Sequence, residues 1–414
     1  MEDWTRDQLV RRNTRLLIGA QAALNAVGGI FFTVAVVAVA DLSGRELWSG
    51  VLIAVFNLSA AVSALLVGRL MDRVGRRPGL VLGHLLFGLG GLTGALAVAR
   101  GSSWALLATA VPFGAGMGAA LLGRVAVADM YPSEQRGRMV GILVAAGTVG
   151  AIGGPPIVAG IERLTDWEPA PWLLIPALEL VGIAVLLALR PDPRELAVRV
   201  PGTVQGTRGR RPLRELLRVP PLRAAIVTMG VAQTSMVAVM GVAPLIIDQR
   251  GGSSLAIALV VSVHMAGMFA LAPVIGVLLD RYGRRPGLLV GGAVAATGAL
   301  LGSFAHVTPL VGVGLFLVGL GWSTCYLGST AAISDLTAAG ERGGALGFTD
   351  LFTSLSAAIG GLAGAFVLES SGIAVVGVVM AALMVPALLL VLPLHEPAPG
   401  RWRVRGVTIA EEPT

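Results

Sequence analysis

The sequence has little charge, one cysteine and no lysine. Charged residues make up 13% of its 414 positions, about half the share in a typical soluble chain, against 55% hydrophobic residues. One cysteine, Cys325, cannot close a disulfide within the chain, which excludes a secreted disulfide scaffold. A Walker loop needs lysine, and the four histidines are far apart in the sequence, so we expect no ATPase, no enzyme, no cofactor and no metal site.

Hydrophobic residues occur instead in long runs bounded by charge, glycine or proline. A membrane-spanning helix needs about 20 apolar residues. Runs of about this length lie at residues 16–40, 48–68, 79–99, 103–123, 139–160, 171–189, 223–247, 254–278, 287–305, 308–332, 345–368 and 372–393. The sequence therefore predicts an all-α membrane protein with twelve transmembrane helices in two six-helix bundles.

A polar segment separates the first six runs from the last six. We expect a first bundle at residues 1–190, a linker at 191–222, a second bundle at 223–395 and a tail at 396–414. The linker is rich in proline and arginine. Within it, residues 212–218 have the period of a short amphipathic helix, which is typical of a helix on a membrane surface.

The formal charge of +7 is explained by where the arginines lie. If the N-terminus is cytoplasmic, the outer loops contain only Arg45, Arg100, Arg163 and Arg250, and all other arginines fall inside. Positive charge stays on the cytoplasmic side of membrane proteins. We therefore expect both termini to be cytoplasmic, in the inner cell membrane, and we expect the lipid bilayer rather than nucleic acid as the partner of this basic chain.

The two halves contain the same signature loop, which follows the second and the eighth run. It reads Gly-x-x-x-Asp-x-x-Gly-Arg-Arg, with Gly68, Asp72, Gly75 and Arg76 in the first half and Gly276, Asp280, Gly283 and Arg284 in the second. A second repeated pair consists of Asp129 with Arg136 and of Asp335 with Arg342. The chain is therefore duplicated, and the two bundles should be related by pseudo-symmetry.

With these loops in a six-plus-six layout, the chain resembles the major facilitator superfamily of secondary transporters over nearly its full length. The resemblance implies a central cavity that opens alternately to the two sides of the membrane. It also implies that Asp72 faces the N-terminus of the eleventh helix near residues 343–347 and that Arg76 pairs with Asp129, and the second half can repeat this arrangement. Exposed helix N–H groups stabilise a carboxylate, so we expect the signature residues to act as a conformational latch.

A second motif concerns the direction of transport. In the fifth run, Gly141, Gly150, Gly154 and Pro155 have the spacing of the antiporter signature of drug and metabolite exporters, which they resemble. Small residues also allow close helix packing. The fourth run lacks the arginine that many such exporters use in proton coupling. We expect proton-coupled efflux of small amphipathic compounds or metabolites; the alternatives are a proton-coupled importer of a small nutrient and a transporter-like receptor that moves nothing.

The resemblance also indicates the cavity, which this fold lines with its first, fourth, seventh and tenth helices. The candidates there are Gln21, Asn25, Phe113, Met117, Gln233, Met236, Met240, Trp322 and Tyr326. These side chains include few hydrogen-bonding groups and several methionines and aromatic rings, a composition that favours an amphipathic solute over a sugar. The alternative role of each of these residues is helix packing. Ionisable groups are costly inside a bilayer, so Asp350, Glu179 and His264 are the candidates for proton coupling. We expect a monomer.

Overall fold

A computed structural model of the protein describes residues 5–131, 133–196, 213–337, 339–404 and 407–409. The first half forms α1 (Arg6–Ser43), α2 (Leu47–Val74), α3 (Arg76–Ala99), α4 (Ser103–Ala120), α5 (Gly123–Met130), α6 (Ser133–Leu164) and α7 (Ala170–Leu187). The rest forms α8 (Leu213–Leu216), α9 (Pro220–Gln249), α10 (Ser254–Phe269), α11 (Ala272–Tyr282), α12 (Arg284–Phe304), α13 (Thr308–Leu336), α14 (Ala339–Ser371), α15 (Ile373–Val391), β1 (His395–Ala398), β2 (Arg401–Val404) and β3 (Val407–Ile409).

The described residues contain eleven spans that are long and apolar enough to cross a membrane. One of these spans joins α4 to most of α5, and another joins α10 to α11. The twelfth predicted span corresponds to α6, a helix of 32 residues whose first turns contain several side chains outside the described part. The chain is therefore a multi-pass membrane protein, and its predicted all-α architecture is confirmed.

The chain divides into two compact units. The first contains the described residues of Met1–Val200 together with Pro244–Ser262, and the second contains those of Pro201–Ala243 together with Val263–Thr414. The last turns of α9 and the first half of α10 thus belong to the first unit. The bundle boundaries at residues 190 and 223 stay a prediction.

The core of the first unit is aromatic and depends on glycine for close helix contact. Phe113 of α4 lies 4.5 Å from Phe31 and 5.0 Å from Phe87, measured between ring centroids. A Cβ on Gly90 would come within 2.7 Å of the Phe113 ring. Glycine therefore lets α3 approach α4 closely enough for these rings to fill the core, where packing is as dense as in an organic crystal.

The second unit buries residues from the linker and from the C-terminal segment in one cluster. Leu216 of α8 is buried there with Leu222, Leu288, Val391 and Trp402. The short linker helix therefore packs its leucine against protein; position 212, where the sequence predicts this helix to begin, lies outside the described residues. Trp402 belongs to an antiparallel sheet with the strand order β1-β2-β3, which the sequence analysis did not predict.

Candidate functional site

The first signature loop is a tight junction between α2 and α3 at Gly75. Its φ of 109° is one that L side chains rarely adopt, and glycine permits it. The turn directs Arg76 towards Asp129, and the Arg76 Nε donates to Asp129 Oδ2 at 2.8 Å. Both side chains are largely buried, with 13% and 27% exposed. The pair expected between these two residues is therefore present as a charge-assisted hydrogen bond.

The same loop is capped by Asp192, an acid that the sequence analysis placed only in the linker. Asp192 Oδ1 accepts from the backbone N–H of Arg76 at 3.0 Å, and Oδ2 accepts from that of Arg77 at 2.9 Å. These N–H groups begin α3 and have no partner within the helix. The carboxylate thus satisfies both donors and lies at the positive end of the helix dipole.

The second signature loop repeats this geometry with different residues. Gly283 has a φ of 101°, and Arg284 Nε donates to Asp335 Oδ2 at 2.9 Å. Arg284 also approaches Asp280 Oδ1 at 3.1 Å, although the Asp280 side chain is 76% exposed. Here the capping acid is Glu396, which accepts from the backbone N–H of Arg284 at 2.9 Å and of Arg285 at 2.6 Å.

A signal for the two capping acids does exist in the sequence. Asp192 precedes Pro193, Glu396 precedes Pro397, and the acids are 204 residues apart, close to the 208 that separate Asp72 from Asp280. An acid followed by proline after the last helix of each half is a further repeat of the duplicated chain. Both acids bind backbone N–H groups, and every residue except proline has such a group, so the sequence does not show which residues they bind.

Part of the predicted latch lies outside the described residues. This applies to the side chains of Asp72, Arg136 and Arg342 and to the other side chains in the first turns of α14. The surroundings of Gly141 in the exporter-like motif also lie outside the described part. Gly68 and Gly276 lie within the described part. A Cβ on Gly68 would have its nearest neighbour at 3.9 Å, and one on Gly276 would meet no described atom within 4 Å. The contact of Asp72 with the eleventh helix stays a prediction.

The glycine–proline segment of α6 packs against α1. A Cβ on Gly150 would lie 2.9 Å from the Ala22 carbonyl carbon, and one on Gly154 would lie 2.9 Å from that of Ala26. Prolines here also leave carbonyls without a helical donor. The Ile152 carbonyl, four residues before Pro156, accepts from the Ser262 hydroxyl at 2.8 Å within the first unit. The segment therefore joins helices at backbone distance.

The cavity candidates of the first half are partly accounted for by packing. Gln21 and Asn25 lie on one face of α1, as their spacing predicts, and the Gln21 Nε2 donates to Asn25 Oδ1 at 2.9 Å. Phe113 is fully buried in the aromatic core. Met117 is half-buried, and its methyl group would lie 3.2 Å from a Cβ on Gly28. Phe113 thus has a structural role whether or not a solute contacts it.

In the second unit, three cavity candidates from α9 and α13 do form a cluster. Trp322 Nε1 donates to Gln233 Oε1 at 2.6 Å. The Trp322 ring stacks on Tyr326 with centroids 5.2 Å apart and planes 18° apart, and Phe269 meets it edge-on at 6.2 Å. Met236 and Met240 are buried on α9. We call Gln233, Trp322, Tyr326 and Phe269 the aromatic–amide cluster; sequence analysis missed Phe269.

The ionisable candidates occupy three different settings. Glu179 Oε2 is hydrogen-bonded to His84 Nδ1, and the two side chains are 1% and 3% exposed. His264 is fully buried, and its Nδ1–H donates to the Leu315 carbonyl at 2.8 Å. Asp350 is half-buried on α14. Sequence analysis had not paired His84 with Glu179, because 95 residues separate them.

Comparison with known proteins identifies the family. The sequence profile of the Major Facilitator Superfamily matches residues 16–241 and again residues 225–408. The chain is 30% identical to the uncharacterized MFS-type transporter YddS of Bacillus subtilis, covering 92% of this chain and 91% of that protein, and 28% identical to the riboflavin transporter RfnT of Brucella anthropi, covering 87% and 90%.

A solved structure shows the same fold. The nucleoside transporter NupG superposes with a TM-score of 0.73 at 13% sequence identity, covering 92% of this chain and 99% of that one. Together with the duplicated signature loops, these matches confirm the fold expected from the sequence. The chain belongs to the major facilitator superfamily and is a secondary transporter.

Proposed function

We propose that this protein exports small amphipathic compounds with a planar aromatic part from the cytoplasm in exchange for protons. In this proposal it is a monomer in the cytoplasmic membrane, with both termini and the linker on the cytoplasmic side. The aromatic–amide cluster supports the solute class, the α6 motif supports the direction, and the uneven distribution of arginines supports the orientation.

The observation that supports the solute class best is the Trp322–Tyr326 stack beside Gln233. Two parallel rings offer a face on which a planar ring system stacks. Gln233 adds an amide at the edge of the stack, and Trp322 Nε1 already occupies one site on its carbonyl oxygen at 2.6 Å. The amide N–H groups remain able to orient a polar substituent. An amphipathic solute satisfies both parts of this cluster, whereas a sugar needs more polar partners.

The direction of transport is proposed from α6. Gly150, Gly154 and Pro155 resemble the exporter motif, and they bring α6 to backbone distance from α1. Close packing of this kind is suited to sealing one side of a cavity. Proton coupling needs a group that gains and loses a proton within the membrane. Asp350, Glu179 and His264 are the candidates, and Glu179 is the one bound to a second ionisable side chain.

The signature loops are proposed to act as the latch. In each unit the loop arginine binds an acid near the end of a later helix, Asp129 of α5 or Asp335 of α13, and a carboxylate caps the helix that follows the loop. Opening that end of the transporter requires some of these contacts to rearrange, so their loss shifts the balance between the two access states. Asp72 is proposed to add a further contact of this latch at the start of the eleventh helix, so Asp72→Asn should lower transport in protein that still reaches the membrane.

Export is tested in everted membrane vesicles with an imposed proton gradient. Planar aromatic dyes should accumulate inside vesicles that contain the protein, and collapsing the gradient with a protonophore should abolish the accumulation. Vesicles with the Trp322→Ala variant are the matched control for the cluster. Absence of gradient-dependent movement for a broad dye panel, with the protein present in the membrane, contradicts the proposal.

Import of a heteroaromatic nutrient is the second candidate. RfnT, a riboflavin transporter, is similar to this chain over 87% of this chain and 90% of RfnT. A flavin has a planar ring system and polar substituents, which also matches the aromatic–amide cluster. Uptake of labelled riboflavin by intact cells, raised by expression of the protein and absent from everted vesicles, would favour this candidate over export.

A further inference from the structure

The segment after α15 forms the sheet β1–β3, here called the tail sheet, and one of its side chains is buried in the second unit. In β2, Arg401 and Arg403 are exposed while Trp402 between them is fully buried. Trp402 belongs to the cluster that contains Leu288 of α12 and Val391 of α15. Burial of an indole ring removes roughly 150–250 Å² from solvent. This side chain therefore attaches the sheet firmly to the unit.

The tail sheet also contains the acid that caps the second signature loop. Glu396 lies in β1, and its carboxylate accepts from the first two backbone N–H groups of α12. The backbone N–H of Gly400, in the turn between β1 and β2, donates to Glu396 Oε1 at 2.8 Å. The turn of the sheet thus orients the carboxylate that caps α12.

The same turn lies next to the acid that binds the loop arginine. A Cβ on Gly400 would lie 3.3 Å from Asp335 Oδ2, the atom that accepts from Arg284. Gly400 has a φ of 75°, which glycine adopts readily. The tail sheet therefore supplies the acid that caps α12 and lies next to Asp335, the acid that accepts from Arg284 Nε.

In the first signature loop, the capping acid lies in a short turn and not in a sheet. Asp192 is held by the short turn that contains it, in which the backbone N–H of Arg194 donates to Asp192 Oδ1 at 2.9 Å. Among the described residues, strands occur only after α15. The two halves of a duplicated chain thus reach the same capping geometry by different means, which indicates that the geometry matters more than the segment supplying it.

We infer that the tail sheet is a positioning element of the second signature loop, in which Trp402 anchors the sheet and Glu396 fixes the start of α12. This rests on the proposed role of the signature loops as a latch. The sheet keeps Arg284 oriented towards Asp335, so its release loosens the loop and changes the rate at which the transporter alternates. The cluster that buries Trp402 contains no residue of the aromatic–amide cluster, so we expect solute binding to be unaffected.

Hydrogen–deuterium exchange of the full-length protein in lipid nanodiscs tests the positioning directly. Trp402→Ala should accelerate exchange of the Arg284 and Arg285 amides about tenfold or more, because hydrogen bonds to a charged acceptor are lost. Trp402→Phe should preserve the slow exchange, and Arg401→Ala, on the exposed face of the same strand, is the matched control. Unchanged exchange at these two amides in Trp402→Ala overturns the inference.

Glu396→Gln keeps every apolar contact of the sheet and should accelerate hydrogen exchange at the Arg284 and Arg285 amides. This variant tests the role of Glu396 even if Trp402→Ala does not accumulate in cells. In transport assays, both variants should lower kcat several-fold with the KM for the solute unchanged. Accelerated exchange with an unchanged kcat overturns the link to the latch. The exchange measurement needs no solute, so failure of the wild-type protein to export bears on the proposed function alone.

Discussion

Asp192 accepts a hydrogen bond from the backbone N–H of Arg76 at 3.0 Å, while the Arg76 side chain donates to Asp129 at 2.8 Å. One residue of the loop is thus held at both its backbone and its side chain by carboxylates from two different parts of the chain. This double attachment fixes the direction in which the guanidinium points. Asp192 therefore supports the loop although it lies outside the signature.

Replacing Asp192 by alanine should destabilise the protein. The variant leaves the first N–H groups of α3 without an acceptor, and bonds to a charged acceptor contribute about 1.5–3 kcal/mol. The expected result is a lower Tm of the purified protein in detergent. Asp192→Asn retains one acceptor oxygen, so its Tm should lie between those of the wild-type protein and Asp192→Ala. A Tm of Asp192→Ala equal to wild type would show that water replaces the cap.

Two adjacent glycines of α6 should respond differently to the same substitution. Gly154→Ala places a methyl group 2.9 Å from the Ala26 carbonyl carbon, so α1 and α6 must move apart. Overpacking of this kind costs about 1–3 kcal/mol, and transport should fall with it. Gly153→Ala is the matched control, since its Cβ would meet no described atom within 4 Å. Thermal unfolding and vesicle transport measure both effects; equal behaviour of the two variants contradicts the packing.

Changes at Trp322, which donates to Gln233 and stacks on Tyr326, should weaken solute binding. Trp322→Phe keeps an aromatic ring above Tyr326 but loses the Nε1 donor, and Trp322→Ala loses the stack as well. If solute stacks on this pair, the Kd should rise slightly in the first variant and by about tenfold in the second, since aromatic pairs contribute about 0.5–1.5 kcal/mol beyond burial. Binding titrations measure the Kd. Trp104→Ala, at an exposed tryptophan, should leave it unchanged.

The His84–Glu179 pair should show strong coupling in a double-mutant cycle. Removing one partner of a buried hydrogen-bonded pair leaves the other polar group unsatisfied and costs about 1–3 kcal/mol. Glu179→Ala and His84→Ala should each destabilise the protein by this order, and the double variant by much less than their sum. Chemical denaturation measures the three values. Additive losses would mean that the two side chains contribute independently.

Glu179→Gln separates the structural role of this pair from proton coupling. The amide keeps a hydrogen-bonding partner for His84 but cannot release a proton. If Glu179 couples protons, the variant should bind solute yet lose gradient-driven transport. Proton-driven transport at the wild-type rate would assign the pair to helix packing alone and leave Asp350 and His264 as the candidates.

Sequence reasoning identified the signature loops because they follow from residue type and repeat spacing, and the family resemblance that these loops support implied the Arg76–Asp129 pair. It also placed Gln21 and Asn25 on one helix face, where they do form a hydrogen bond. Phe113 stays a candidate for the cavity, and its burial against Phe31 and Phe87 gives it a packing role that the sequence did not reveal. Each helix contacts several neighbours, so an apolar side chain has more than one face to fill.

The sequence by itself determined the membrane spans and the duplication, because run length and repeated spacing are properties of consecutive residues. Tertiary structure alone decided the partners. Asp192 lies 116 residues from Arg76, Glu179 lies 95 from His84, and Trp322 lies 89 from Gln233. Such contacts depend on how helices pack, and two of them use a backbone N–H or a side-chain amide that has no distinctive spacing in the sequence.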